Sequence, residues 1–348
     1  MNLRRLTCLL ISLAVLSMGT PAPAAAADAA GDWPCWMGPN HDGKSPDKGL
    51  LKEWPKEGPK QLWKATGIGQ GFSSVAVAKG KVYITGQDEG KLNLSAFDLE
   101  GKRLWKVECG QAVDDGRGGS PAVDGGSIYT SDGNGSLTCL DAGTGTKKWS
   151  RDTRKDFGGN PGGWKYAESP LVLGDLVIFK PGGRNCIVAL EKATGKDVWT
   201  STGFSAGPEY GSCTPFVHEG VQMVVTGTNA GLVCIDAKTG KLLWENGFSA
   251  GNTANCPTPL YSDGYVFWAN GYGKGGICMQ LEADGTAKEA YKTRDMECHH
   301  GGFIIDKGYV YGNNGGGFAC LELKTGKKMW NENGDVRKGS LCWADGML

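Results

Sequence analysis

The chain has 348 residues, with 37 Lys+Arg against 37 Asp+Glu and 57 glycines. A zero formal charge excludes a global field that would draw it to nucleic acid or anionic lipid. The glycines punctuate Val-, Ile-, Tyr- and Trp-rich runs, which excludes low-complexity disorder, and an all-β repeat array holds this length as one domain.

Residues 1–30 read as a signal peptide and linker. Arg4 and Arg5 precede the apolar run Leu6 to Met18, and Ala25-Ala26-Ala27 offers a small-residue cleavage site, so processing after Ala27 or Ala30 is expected. That run is too short to span a bilayer comfortably, and no later stretch is apolar enough to cross one. Cys8 opens the run instead of following it, which argues against a lipid anchor. The expected location is extracytoplasmic, periplasmic or secreted. Eleven of the twelve cysteines then enter an oxidising compartment.

Residues 31–60 form a leader, and residues 61–348 carry a repeat. Its plainest copies are CLDAGTGTKKW (Cys139–Trp149), ALEKATGKDVW (Ala189–Trp199), CIDAKTGKLLW (Cys234–Trp244) and CLELKTGKKMW (Cys320–Trp330). Each reads as a hairpin. The acid accepts turn amides, the Gly takes positive φ, and the returning strand ends in Trp. Trp63, Trp105, Trp149, Trp199, Trp244 and Trp330 are spaced by 42, 44, 50, 45 and 86 residues, the last a double step over the degenerate LEADGTAKEAY. A period near 45 predicts an all-β propeller of four-stranded blades. A second marker, a strand opening on Ser/Thr-Pro or its equivalent, runs in phase at Ser73, Ser120, Ser169, Thr214, Thr258 and Gly302.

Six units are complete. Trp63 has no unit of its own before it, and Ser340–Leu348 begins a seventh, so the ring as given is expected not to close and the chain to be truncated at its C-terminus. Cys139, Cys234 and Cys320 share one repeat position and read as packing residues. A disulfide between Cys256 and Cys213 or Cys298 is left open.

The turns resemble the tryptophan-docking repeats of the PQQ-repeat, or quinoprotein alcohol dehydrogenase-like, β-propellers, over residues 60–348. The stretch DWPCWMGPNHDGKSPDKGLLKEWPKEGPKQLW also resembles the leader of one secreted bacterial subgroup, with Cys35 and Met37 departing from the polar and basic residues usual there. The resemblance implies eight blades, with each Trp wedged between neighbours, as a blade-docking residue. It also invites a PQQ-dependent dehydrogenase. Such enzymes use a vicinal Cys-Cys disulfide, a Ca²⁺ held by carboxylate and amide oxygens, and an Asp base. This sequence has no adjacent cysteines and no recognisable Ca²⁺ constellation. No bound cofactor is therefore expected, and PQQ with Ca²⁺ is the alternative.

The loops preceding each first strand are expected to gather at one mouth of the central channel. Arg117, Trp164, Tyr166, Glu168, Tyr210, His299 and His300 lie in them and are the candidate ligand-binding residues; no catalytic residue is assigned. His299 and His300 adjoin Cys298, but adjacent side chains in a strand diverge, so no metal site is assigned. The expected role is a non-catalytic binding or scaffold module, BamB-like, for a protein partner or a saccharide or peptide ligand. No nucleic acid is expected, no transmembrane segment after signal removal, and the state is monomeric. The alternative is a PQQ-dependent oxidoreductase.

Overall fold

The computed structural model describes residues 31–116, 118–334 and 338–348. The signal-peptide reading of residues 1–30 and the candidate Arg117 lie outside the described residues. Six four-stranded antiparallel sheets follow one another along the chain, each in simple up-and-down order. These blades cover residues 76–111, 122–152, 171–200, 214–246, 260–293 and 303–333. The inner strands pack side by side from blade 1 to 3 and from blade 4 to 6. Among the described residues the one α-helix is Thr153–Phe157, capped by Asp152.

One row of paired residues explains the repeat. In blade 2 it runs Ala122, Tyr129, Cys139, Trp149 from inner to outer strand. Blade 4 gives Thr214, Val225, Cys234, Trp244, and blade 6 gives Ile304, Tyr311, Cys320, Trp330. Cys278 holds the same place in blade 5, opposite Phe267 and Tyr291. These cysteines are at most 2 % exposed, small apolar fillers between sheets. A bulge follows each row before the outer strand, and in blades 1, 3 and 6 the residue it skips turns outward, while Leu243 of blade 4 packs on the core. That accounts for the exposure of Leu104, Val198 and Met329.

The acid-x-x-Thr-Gly turn is built as its chemistry demands. The Asp141 Oδ1 accepts the Gly143 and Thr144 amides and the Thr144 hydroxyl. Asp236 repeats this with Lys238 and Thr239. The glycine has two reasons to be glycine. Gly195 sits at φ +72°, and a Cβ there would lie 2.8 Å from the Trp149 ring. Gly101, Gly145 and Gly240 lie likewise against Trp63, Trp105 and Trp199. Each indole also donates into the turn that it covers, Trp63 to Leu99 O, Trp105 to Gly143 O, Trp149 to Lys192 O and Trp199 to Ala237 O, at 2.8–3.1 Å. Tyr291 replaces Trp at the degenerate unit and donates to Leu323 O. The next turn over from Trp244 is that of the degenerate unit, Glu282 to Thr286, and the buried Trp244 Nε1 finds no partner.

The leader runs down the axis. Trp33 pairs with Val77 of blade 1, and the Pro34 carbonyl accepts the Val123 amide of blade 2. Cys35, Trp36, Met37 and His41 line one small void with Leu171 of blade 3, Cys213 at the entry to blade 4 and Thr258 at the entry to blade 5. Met37 joins the core with Ile304 of blade 6, and Lys44 pairs with Asp306 at 3.4 Å. Lys44–Ser45 then lies parallel to Trp343–Ala344 as a two-stranded sheet. One segment thus touches all six blades.

Candidate functional site

Looking down the axis from the starts of the inner strands, the leader forms the bottom of a funnel of about 380 Å³. Trp36 is its floor. The walls come from the loops before successive blades: Phe72 and Ser74, Gly118 and Ser120, Ala167 and Ser169, Tyr210 and Ser212, Cys256, His300 and Gly301, closed by Ser340.

A belt of hydroxyls holds those loops in register. The Ser120 Oγ accepts the Ser74 amide, Ser169 that of Ser120, Ser212 that of Ser169 and Thr258 that of Ser212, at 2.9–3.3 Å. Thr258 also takes the Trp36 indole N–H at 3.0 Å, tying the floor to the wall. The belt corrects the sequence marker in two blades, and in blade 1 the belt residue is Ser74 and not Ser73. In blade 4 the equivalent residue is Ser212, two positions before the inner strand, and not Thr214, which begins it and bonds to Pro259 O. Thr214-Pro215 mimics the motif by local sequence only.

The sequence-predicted residues divide. Tyr210 and the exposed His300 line the funnel. Trp164 is 42 % exposed and meets Tyr210 edge-on at 6.0 Å over an adjoining groove that holds Asn160, Asn229 and Asn252. His299 turns away from the funnel to pack on Tyr272 at 4.7 Å, with Glu297 at 3.8 Å. Its pKa is lowered by burial and by Lys338. The two histidines diverge from a bend that precedes the inner strand Phe303–Asp306.

Tyr166 and Glu168 do not face the mouth. Tyr166 is 2 % exposed, packed on Phe179, with its hydroxyl donating to Pro181 O at 2.8 Å. An aromatic ring this large is worth more between blades than on a loop. Glu168 is also buried, and its carboxylate accepts the Lys180 amide and lies 3.5 Å from Lys180 Nζ. The fully buried ammonium donates to Gly211 O, Thr226 Oγ1 and Gly227 O, joining blade 3 to blade 4. Burial pushes the Glu168 pKa up to about 7, with Lys180 pulling the other way. This ion pair is a fastening under the wall, closed to ligand.

None of the eleven cysteines among the described residues is in a disulfide, so the pairing left open for Cys256, Cys213 and Cys298 does not form. Cys213 and Cys298 are each buried in the loop before a different blade, and burial raises the Cys213 thiol to about 12. Among the described residues no group of three or more His, Cys, Asp or Glu could hold a metal ion. Sequence reasoning missed Phe72, Trp36 and the hydroxyl belt. The belt was visible as a recurring Ser/Thr; the floor was not, because nothing in a leader sequence says that it enters the axis.

The family model described as "Outer membrane protein assembly factor BamB" matches residues 90–332. The chain belongs to this PQQ-repeat propeller family. Within it, the Shewanella oneidensis outer membrane protein assembly factor BamB is 24 % identical over 221 residues, 62 % of this chain and 53 % of that protein. Quinohemoprotein alcohol dehydrogenase ADH-IIG of Pseudomonas putida is 30 % identical over 135 residues, 35 % of this chain and 18 % of the enzyme. The chain therefore spans about half the length of one of these curated relatives and under a fifth of the other. The solved quinohemoprotein alcohol dehydrogenase of Comamonas testosteroni superposes with a TM-score of 0.63 at 15 % identity, covering 92 % of this chain and 70 % of that one. Such a likeness is one of fold. The BamB-like family thus holds both assembly factors and dehydrogenases among its relatives, and fold does not choose between them. Among the described residues no helix is long and apolar enough to cross a membrane.

Proposed function

We propose that this BamB-like propeller is a non-catalytic binding module working outside the cytoplasm, and that its funnel receives a loop or peptide of a protein partner. The observation that carries the reading is the funnel lining. Phe72 stands 80 % exposed on the rim, Tyr210 is on the wall and Trp36 is at the floor, interleaved with hydroxyls. Among its described residues there is no carboxylate and no amine. An apolar, hydroxyl-edged hollow of this size suits one large side chain of a partner, with the serines left to meet its backbone. The similarity to the Shewanella outer membrane protein assembly factor supports a protein partner.

The same lining argues against the quinone alternative. PQQ carries three carboxylates, and its Ca²⁺ needs hard oxygen ligands. Among the described residues the wall offers no Lys or Arg for the first and no carboxylate for the second, and no Asp or Glu to take a substrate proton. The described residues of the wall do not fit that group.

The full chain should be probed on a peptide array tiling segments of outer-membrane β-barrel proteins, with a glycan array beside it. Binding to aromatic-containing peptides is expected, weakened at least ~10-fold by Phe72→Ala or Tyr210→Ala. Peptide binding that ignores both substitutions, or binding to glycans alone, contradicts the proposal.

A further inference from the structure

Beside the funnel lies a second groove of about 370 Å³, bordered by the loops that enter blades 3, 4 and 5. Among the described residues it shares only Tyr210 with the funnel. Trp164 stands on a tight turn in which Lys165 N bonds to Gly162 O at 3.0 Å. The turn is pinned to Tyr210. The Trp164 amide donates to the Tyr210 hydroxyl at 3.2 Å, and a Cβ on Gly162 would lie 2.8 Å from that oxygen. An indole 42 % exposed and set edge-on to Tyr210 is thus ordered before any ligand arrives.

The polar groups of the groove are fixed as firmly. Asn255 is fully buried, and its side-chain amide bonds to Thr228 O, Ser249 O, Ser249 Oγ and Asn252 Nδ2 at 2.7–3.2 Å, which fills its capacity. Its backbone amide donates to Glu209 Oε2 at 2.9 Å, and its carbonyl accepts the Tyr210 amide at 3.2 Å. One buried residue therefore sets Glu209, Tyr210 and Asn252 relative to one another. Among the described residues, what these groups leave open is mixed in sense. The Asn229 Oδ1 holds the Gly207 amide at 2.8 Å, so its NH2 is left to donate. The Asn252 Nδ2 is engaged by Ala254 O and Asn255 Oδ1, so its Oδ1 is left to accept, and Glu209 keeps Oε1.

We propose that this groove binds a neutral chain of β-linked pyranose units with equatorial hydroxyls, one ring stacked on Trp164. Each sugar hydroxyl donates and accepts through one oxygen, and so bridges an amide donor to a fixed acceptor; a peptide N–H or C=O does only one of these. The equatorial pattern leaves the ring faces as C–H surface, which suits the exposed indole. The described lining holds no Lys or Arg to balance a uronic acid. The volume is that of a small-ligand site.

The test titrates the full chain with cellotetraose, followed by calorimetry and by saturation-transfer NMR. Binding is expected, with saturation strongest on the ring C–H protons. Trp164→Ala should weaken it at least ~10-fold. Asn229→Asp keeps the acceptor for Gly207 and removes only the open donor, so it should weaken binding roughly 5-fold in a chain that folds as before. Trp54→Ala removes a 74 % exposed indole outside the groove and should change nothing. The proposal is overturned by no binding of cellotetraose, by binding that survives Trp164→Ala, by equal loss in Trp54→Ala, or by equal affinity for tetragalacturonate. It is also overturned if peptides bind in a Trp164-dependent way and the sugar does not.

Discussion

Replacing Glu168 with Gln isolates one buried charge at the junction of blades 3 and 4. Glu168 is 2 % exposed and Lys180 is fully buried. Burial raises the carboxyl from 4.5 to about 7, an effect that Lys180 offsets only in part. Because the folded-state value lies above the unfolded one, the folded chain holds this proton longer. The contribution to stability is complete below pH 4.5 and is lost as pH rises through 7. At about 1.4 kcal/mol per unit the full effect is ~3 kcal/mol, most of which falls between pH 5 and pH 8.

His41 works in the opposite sense. Burial lowers it from 6.5 to about 4, so its share is present above 6.5 and lost as pH falls toward 4. The two slopes overlap and largely cancel, which makes the wild-type pH profile a poor probe. The difference between wild type and Glu168→Gln removes His41 from the comparison. Urea unfolding at pH 5 and pH 8 should show the wild type losing ~2–3 kcal/mol relative to the variant as pH rises. A difference constant to within ~0.5 kcal/mol between the two pH values would refute the burial of a titrating Glu168.

Two predictions concern the docking turn. Gly195→Ala adds a Cβ at positive φ and pushes on Trp149, whereas Gly220→Ala meets the same backbone cost, at φ +78°, with nothing within 4 Å. Gly220→Ala should cost ~1–2 kcal/mol and Gly195→Ala measurably more, by ~1 kcal/mol for the indole hydrogen bond alone; equal losses in thermal unfolding would remove the docking role. Trp149→Phe should cost ~1 kcal/mol more than Trp244→Phe, since the Trp149 indole donates to Lys192 O and the Trp244 indole to nothing; denaturant midpoints that rank them the other way would contradict the geometry.

The repeated elements were legible because each repeat residue answers a local demand. The acid caps amides in its own turn, the glycine takes positive φ, and the Trp returns every blade, so periodicity alone carried the blade count and the docking row. Cys139, Cys234 and Cys320 were readable as fillers for the same reason, while Cys278 hid in the unit that lost its Trp. The site was legible in outline only. The loops before the inner strands do form a mouth, and Tyr210 and His300 reach it. Tyr166 and Glu168 sit in the same kind of loop but turn inward, because their partners, Pro181 and Lys180, come from the neighbouring strand end. A buried carboxylate needs a buried cation, and nothing near Glu168 in sequence announces that Lys180 is one. The floor depended on where a non-repeating leader goes, a long-range matter on which local pattern is silent.

The central claim is that the funnel binds without catalysing. Full-length chain, incubated with PQQ and Ca²⁺, should be assayed for reduction of an electron-accepting dye by primary alcohols and by sugars. The account predicts a rate indistinguishable from PQQ and Ca²⁺ without protein. Protein-dependent reduction that disappears in Tyr210→Ala would contradict it and place the chemistry in the funnel.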